Sequence, residues 1–186
     1  MGGSLPESEI KDILELCGIS QKQMTMFIET GTYKADTTLE ASRIFDQVYS
    51  IELVEALYKE SVEKCKDKEN ISLFLGNTLE LLPKIMETSF SDDQVEGVVF
   101  FIDAHQSGPD TSHIGKNVPC LDEITVILER LPHHIPSVFI VDDLRLFDAF
   151  WDWKGINLIT IEKLFKDHQR DIKRKLIRND RFIISI

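Results

Sequence analysis

No stretch of this chain stays apolar for the roughly 20 residues that a helix needs to cross a bilayer. The opening residues, MGGSLPESEIKD, also lack the basic segment and apolar run of a secretory signal. Both absences lead to the expectation of a soluble, cytoplasmic protein. Positive charge is scarce, with 21 Lys and Arg facing 32 Asp and Glu for a net charge of −11. Such a surface repels a phosphate backbone unless its cations gather on one face, so neither nucleic acid nor a membrane is an expected partner. Cysteine is limited to Cys17, Cys65 and Cys120, far apart, with no CxxC pair and no histidine at zinc-finger spacing. Reduced thiols follow. At 186 residues, 42% hydrophobic, the chain can build one good-sized core but is short for two. The expected organisation is a single domain over 1–186, with 1–24 as an N-terminal helix and lead-in. The Met-Gly-Gly-Ser start would suit a domain excised from a longer polypeptide.

Ile10, Ile13, Leu14 and Cys17 fall at helical spacing, with Ser4 and Glu7 offering a capping box around Pro6. TMFIET at 25–30 then reads as a strand, and Asp36 as the cap of a helix over 37–45. VYSIEL (48–53), ISLFLG (71–76), VVFFIDA (98–104) and SVFIVDD (137–143) read as further strands. Helices fall between them, with a stripe Val54, Leu57, Tyr58, Val62, Cys65, a short segment Leu79 to Met86, and a longer one over about 120–131. Strands alternating with helices imply βαβ crossovers and a parallel sheet, and near-continuous apolar strands imply a sheet covered on both faces. The end breaks the rhythm. After a helix near 160–168, IKRKLIR and RFIISI flank Asn179-Asp180 as an antiparallel hairpin at the sheet edge. Its cations Lys173, Arg174, Lys175, Arg178 and Arg181 read as edge-strand charges that discourage aggregation, or as an anion patch.

Open parallel sheets bind ligands beyond the carboxyl ends of their strands. Polar residues stand at each such end: Glu29 and Gly31, then Glu52, then Asn77, then Asp103 and His105, then Asp142 and Asp143. Glu52 follows Gly31 by about 20 residues, the interval at which a carboxylate meets the hydroxyls of an adenosine ribose. The loop FIETGTYKAD has one glycine where a pyrophosphate loop of the GxGxxG kind needs three, and Tyr33 and Ala35 fill the space after it. A nucleoside cofactor without phosphates needs only one permissive residue. S-adenosylmethionine is such a cofactor, its amino-acid end meeting the Gly31–Thr32 backbone while Glu29 faces its ammonium.

FIETGTYKADTT, VYSIEL, LGNTLELLP, FFIDAHQSG, PCLDEI and FIVDDLRLF together resemble, in order, the motif series of class I S-adenosylmethionine-dependent methyltransferases. The resemblance is greatest to a branch whose strands end in Asp-Ala-His and Asp-Asp-x-Arg-Leu-Phe, and it spans roughly residues 25–147. It implies an α/β fold, a Rossmann-like three-layer αβα sandwich. The seven-stranded, mostly parallel sheet would have order 3-2-1-4-5-7-6 and a C-terminal antiparallel hairpin. It implies a cofactor site of Glu29, Gly31, Thr32, Tyr33, Thr37, Glu52, Leu53, Asn77, Thr78 and Asp103. Two positions depart from the pattern: Asn77 stands where an aspartate often bonds the adenine amino group, and Ala35 where a second glycine is common.

Methyl transfer is an in-line displacement, so the protein must align nucleophile and sulfonium and, for an alcohol, assist loss of a proton. The strand-end acids also resemble those of metal-dependent sugar O-methyltransferases. That likeness implies Asp103, Asp142 and Asp143 as ligands of Mg²⁺ or Mn²⁺, with His105 and Asp103 as catalytic groups, His105 being the base. The alternative is that Asp103 only orients the methionine ammonium and Asp142 caps a turn. Arg145 either holds a substrate oxygen or pairs with the acids; His113, in the polar segment 106–119 that reads as a lid, either joins the substrate site or is a solvated loop histidine. His133-His134 falls at the opposite end of the sheet. The aromatics of FDAFWDW (147–153) either wall an acceptor pocket or cover the core. The leading expectation is therefore O-methylation of a small-molecule or glycan hydroxyl. The alternatives are a non-enzymatic module of a larger protein, or an NAD-linked oxidoreductase or epimerase, which the missing glycines and the lack of a Tyr-x-x-x-Lys pair disfavour.

Overall fold

The computed structural model describes residues 4–91, 95–103, 118–149 and 151–186, without the Trp151 side chain. Its seven strands are β1 (Met26–Thr30), β2 (Gln47–Glu52), β3 (Ile71–Leu75), β4 (Val98–Ile102), β5 (Ser137–Val141), β6 (Arg174–Arg178) and β7 (Arg181–Ser185). They form one sheet of order β3-β2-β1-β4-β5-β7-β6. The first five are parallel, and β7 pairs antiparallel with both β5 and β6. The helices are α1 (Glu7–Leu16), α2 (Asp36–Ala41), α3 (Glu55–Cys65), α4 (Thr78–Ser89), α5 (Cys120–Arg130) and α6 (Leu158–Asp167).

Each central strand is buried on both faces, so its neighbouring residues enter different cores. Met26, Ile28, Phe100, Ile102, Phe139 and Ile184 pack beneath α4, α5 and α6. Phe27, Val99, Phe101, Val138, Ile140 and Ile183 pack against α1 and α2. Phe139 anchors the first core, its ring 5.0 Å from that of Phe100 and 4.9 Å edge-on from that of Phe165. Fully burying each such ring stabilises the fold by roughly 2–3 kcal/mol.

The expected architecture and strand order hold, with local corrections. The Ser4–Glu7 capping box does not form. Pro6 is the N-cap of α1 and the Glu7 carboxylate is held by Lys11 at 2.6 Å. Nor does Asp36 cap α2: Ala35 occupies that place, and Asp36 is the first helical residue, paired with Lys64 at 2.5 Å. The α2 helix stops at Ala41, and the Asn70 amide donates to the carbonyls of Ser42 and Phe45 just beyond. Asn77 and Asn157 cap α4 and α6. In the hairpin, Asn179 and Asp180 have φ of 45° and 67°, and Arg178 faces Arg181, the geometry of a two-residue turn matched to strand twist. As the expected order implies, only its first strand is at the edge, which overturns the reading of Arg181 as an edge charge. β7 lies between β5 and β6, and Arg181 is buried.

Candidate functional site

The chain leaves β1 toward β2 and β3 on one side and reaches β4 and β5 on the other, so β1 and β4 flank the point where the crossovers diverge. Ligands of open α/β sheets sit beyond this point. Gly31 follows β1 with φ of 94°, and Tyr33 and Ala35 take φ of 48° and 57°. Three left-handed residues within five positions curl the loop, at a cost of about 1–2 kcal/mol for each residue that has a Cβ. The Ala35 methyl is accommodated in this strained, buried place.

Glu29 is buried within β1. Its Oε2 accepts from Thr38 Oγ1 at 2.5 Å and Ser50 Oγ at 2.6 Å, and Ser50 Oγ lies 2.6 Å from Thr32 Oγ1. Burial pushes its carboxyl up to about 8, against the lowering effect of the two hydroxyls, while Asp103 and Glu52 raise it further. Glu52, at the end of β2, accepts from Tyr33 N at 2.7 Å and Val54 N at 2.8 Å. Burial raises this carboxyl as well, and backbone N–H groups, that of Leu53 among them, pull it back. Leu53 itself is half-buried beside it. Glu29, Gly31, Thr32, Tyr33 and Glu52 are thus joined through one loop. Asn77 accepts from Leu79 N as the α4 cap. The Oγ1 of Thr37 accepts from Leu5 N at 2.9 Å, tying this expected cofactor residue to the N-terminal segment.

Two buried acids were absent from the expected set, Glu9 on α1 and, closer to the loop, Glu123. Glu123, on α5, accepts from Thr30 Oγ1 at 3.1 Å and Thr78 Oγ1 at 2.5 Å, bridging the ends of β1 and α4. Burial pushes it up to about 7, with the two hydroxyls opposing and Asp103 adding to the rise. The signal was readable: Glu123 lies on the stripe Cys120, Ile124, Ile127, the buried face of α5.

At the β4 and β5 ends, Asp103 is half-buried, and its N–H donates to the Thr30 carbonyl and hydroxyl, both at 3.2 Å. Asp142 faces Arg181 Nε at 3.2 Å, and Arg181 Nη1 reaches Glu9 of α1 at 2.9 Å. Asp143 pairs with Arg145 at 2.5 Å, and Arg145 also binds the Asp180 carboxylate in the hairpin turn. Pairing with acids is therefore the observed task of Arg145. The expected Mg²⁺ or Mn²⁺ site does not fit this arrangement. Asp142 and Asp143 turn to different arginines, and among the described residues no three His, Cys, Asp or Glu side chains are placed to hold a metal ion. His105, His113 and residues 106–117 of the expected lid over 106–119 lie outside the described residues. His133 and His134 are exposed in the turn before β5, at the opposite end of the sheet. Trp153 stacks on Phe147 at 5.9 Å and covers the core, and it also lines a small cleft with Asp103 and Asp142. Cys17, Cys65 and Cys120 are buried free thiols, and no helix of the described residues is long and apolar enough to cross a membrane.

No protein-family model matches the sequence, and no curated protein does. Solved structures do match the fold. A candidate caffeoyl-CoA O-methyltransferase from Staphylococcus aureus superposes with a TM-score of 0.60 at 18% identity, over 100% of this chain and 84% of that one. Fibrillarin from Aeropyrum pernix, with S-adenosyl-L-methionine natively bound, gives 0.58 at 16% identity, over 94% and 72%. A candidate methyltransferase from Streptococcus mutans, in complex with S-adenosylhomocysteine, gives 0.55 at 15% identity, over 93% and 96%. The fold of this chain is thus the Rossmann-like, seven-stranded sheet with a reversed C-terminal hairpin that these methyltransferase structures also have.

Proposed function

We propose that the chain is an S-adenosylmethionine-dependent methyltransferase acting on a hydroxyl of a small molecule, with a sugar or glycan as the acceptor class. The observation that carries the reading is the Glu29–Gly31–Tyr33–Glu52 loop at the sheet's switch point. Its one permissive glycine is followed by side chains where a pyrophosphate would need bare backbone, and a buried carboxylate stands at the β2 end. Those residues suit a nucleoside cofactor without phosphates. Glu52 would take the ribose hydroxyls, Gly31 and Thr32 the amino-acid end, and Glu29 the ammonium. Asn77 would face the adenine with whatever capacity its oxygen retains beyond capping α4.

The cofactor supplies an electrophilic methyl group on a sulfonium. The chain's own contribution is alignment and removal of the acceptor proton. Asp103 stands at the β4 end, and His105, two residues on in sequence, is the proposed base. No step runs through a metal. Alanine at His105 is expected to lower the rate about 10²–10⁴-fold, the worth of a general base, with cofactor affinity kept; full activity in that variant removes the assignment. The cofactor reading is tested by thermal shift with S-adenosylmethionine, S-adenosylhomocysteine and NAD. A ligand at 100 times its dissociation constant adds about 2.7 kcal/mol, so the first two should raise the melting temperature and NAD should not. No shift with either of the first two overturns the proposal.

A further inference from the structure

Between the ends of β4 and β5 lies a narrow cleft with room for about one water-sized group. Ile102, Val118, Val141 and Trp153 give it apolar walls, and Asp103 and Asp142 give it its acid lining. Asp142 is only 3% exposed, yet its Oδ2 has no hydrogen-bond partner among the described residues. Its other oxygen faces Arg181, but that guanidinium is shared with Glu9 and lies over the Phe101 ring at 5.8 Å, in the core on the α1 side of the sheet. One cation therefore serves two buried carboxylates. The Asp143 N–H also donates to the Asp142 carboxylate, while the Asp103 and Asp143 side chains add to the negative field there.

A buried carboxylate oxygen without a donor is costly, and a ligand that supplies the donor gains accordingly. An anion is repelled here. A neutral hydroxyl could donate but would leave the charge in place. A divalent metal would need waters or substrate oxygens to complete its shell beside Asp103 and Asp142, because Asp143 turns away to Arg145 and no third ligating side chain joins them among the described residues. An ammonium group satisfies each condition: it donates up to three hydrogen bonds, offsets the charge, and its carbon neighbours suit an aromatic wall.

We propose that this cleft is a subsite for a primary ammonium group carried by the methyl acceptor, received by Asp142 Oδ2 with Asp103 beside it and Trp153 as its apolar wall. The inference rests on the methyltransferase reading for the identity of its ligand. It narrows the acceptor to an aminated hydroxyl compound.

The test uses the full chain saturated with S-adenosylhomocysteine and titrated by calorimetry with two matched pairs, glucosamine against glucose and ethanolamine against ethylene glycol. Within each pair an ammonium replaces a hydroxyl. The amine should bind about tenfold tighter or more, the discrimination one charge-assisted hydrogen bond supplies, and Asp142→Asn should abolish the difference. Equal affinity within both pairs overturns the subsite. So does a folded Asp142→Asn protein that keeps the preference, or one that loses S-adenosylhomocysteine instead, which would assign the oxygen to the cofactor's own ammonium. If Asp142→Asn does not fold, the paired titrations of the unaltered protein decide alone. Ethanolamine preference without any sugar binding upholds the subsite and rejects the sugar acceptor. Absence of S-adenosylhomocysteine binding defeats the methyltransferase reading separately.

Discussion

Glu52 commits both oxygens to backbone N–H groups, Tyr33 on one and Val54 on the other. A carboxylate has about four acceptor positions, so two remain for ribose hydroxyls while the first two hold the loop in shape. Glu52→Ala removes both functions together. Cofactor affinity should fall about 10–100-fold, as expected for loss of hydrogen bonds to a charged group, with little change in the rate at saturating cofactor. Calorimetry against S-adenosylhomocysteine measures it, and unchanged affinity would detach Glu52 from the cofactor. Glu29, Gly31 and Glu52 were legible at the sequence level because a glycine ending one strand and an acid ending the next are positions the chain order alone defines. Glu123 was less so. Its partners Thr30 and Thr78 are distant in sequence, and only its place on an apolar helical stripe betrays that it is buried.

Among the elements, α1 is fixed to the sheet by an ion pair that no local pattern announces. Arg181 opens β7 and extends to Glu9 on α1 and Asp142 after β5. It joins three elements from opposite ends of the chain. Periodicity located α1, β5 and β7 from their own residues, since helical and strand spacing are local properties. The same locality led Arg181 to be read as an edge charge, because an arginine at a hairpin turn is usually solvated; the expected order set β7 beside β5, but nothing nearby in sequence shows that Arg181 meets Glu9 and Asp142 there. Arg181→Leu would leave Glu9 and Asp142 buried without their cation, and should destabilise the protein by about 3–5 kcal/mol. Arg178→Leu breaks only the partly exposed pair with Asp12 and should cost less than about 1 kcal/mol. Urea midpoints of the two variants compare them directly. Equal losses would show that the buried pair is no stronger a tie than the surface one.

For the molecule as a whole, the acids gathered at one end of the sheet make folding stability depend on pH. Burial pushes Glu29 from 4.5 to about 8, Glu123 from 4.5 to about 7, and Asp142 from 3.8 to about 7. Between the unfolded and folded values the native chain keeps protons that the unfolded chain releases. By linkage, stability then falls as pH rises. The contribution is fully present below about pH 4, where both states are protonated, and is progressively lost through about pH 7 to 8, where the native carboxyls must ionise in place. The net charge of −11 acts in the same direction, since self-repulsion grows as acids ionise. The cofactor-free protein should therefore be more stable at pH 6 than at pH 8.5, by an amount on the order of a few kcal/mol. Glu29→Gln, which keeps an acceptor for Thr38 and Ser50 but cannot ionise, should flatten the upper part of the decline. Urea melts at a series of pH values for both proteins provide the measurement. A stability that rises from pH 6 to 8.5, or a Glu29→Gln profile parallel to the parent, would mean that these carboxyls are already ionised in the fold, with charge partners among the strand-end loops strong enough to outweigh their burial.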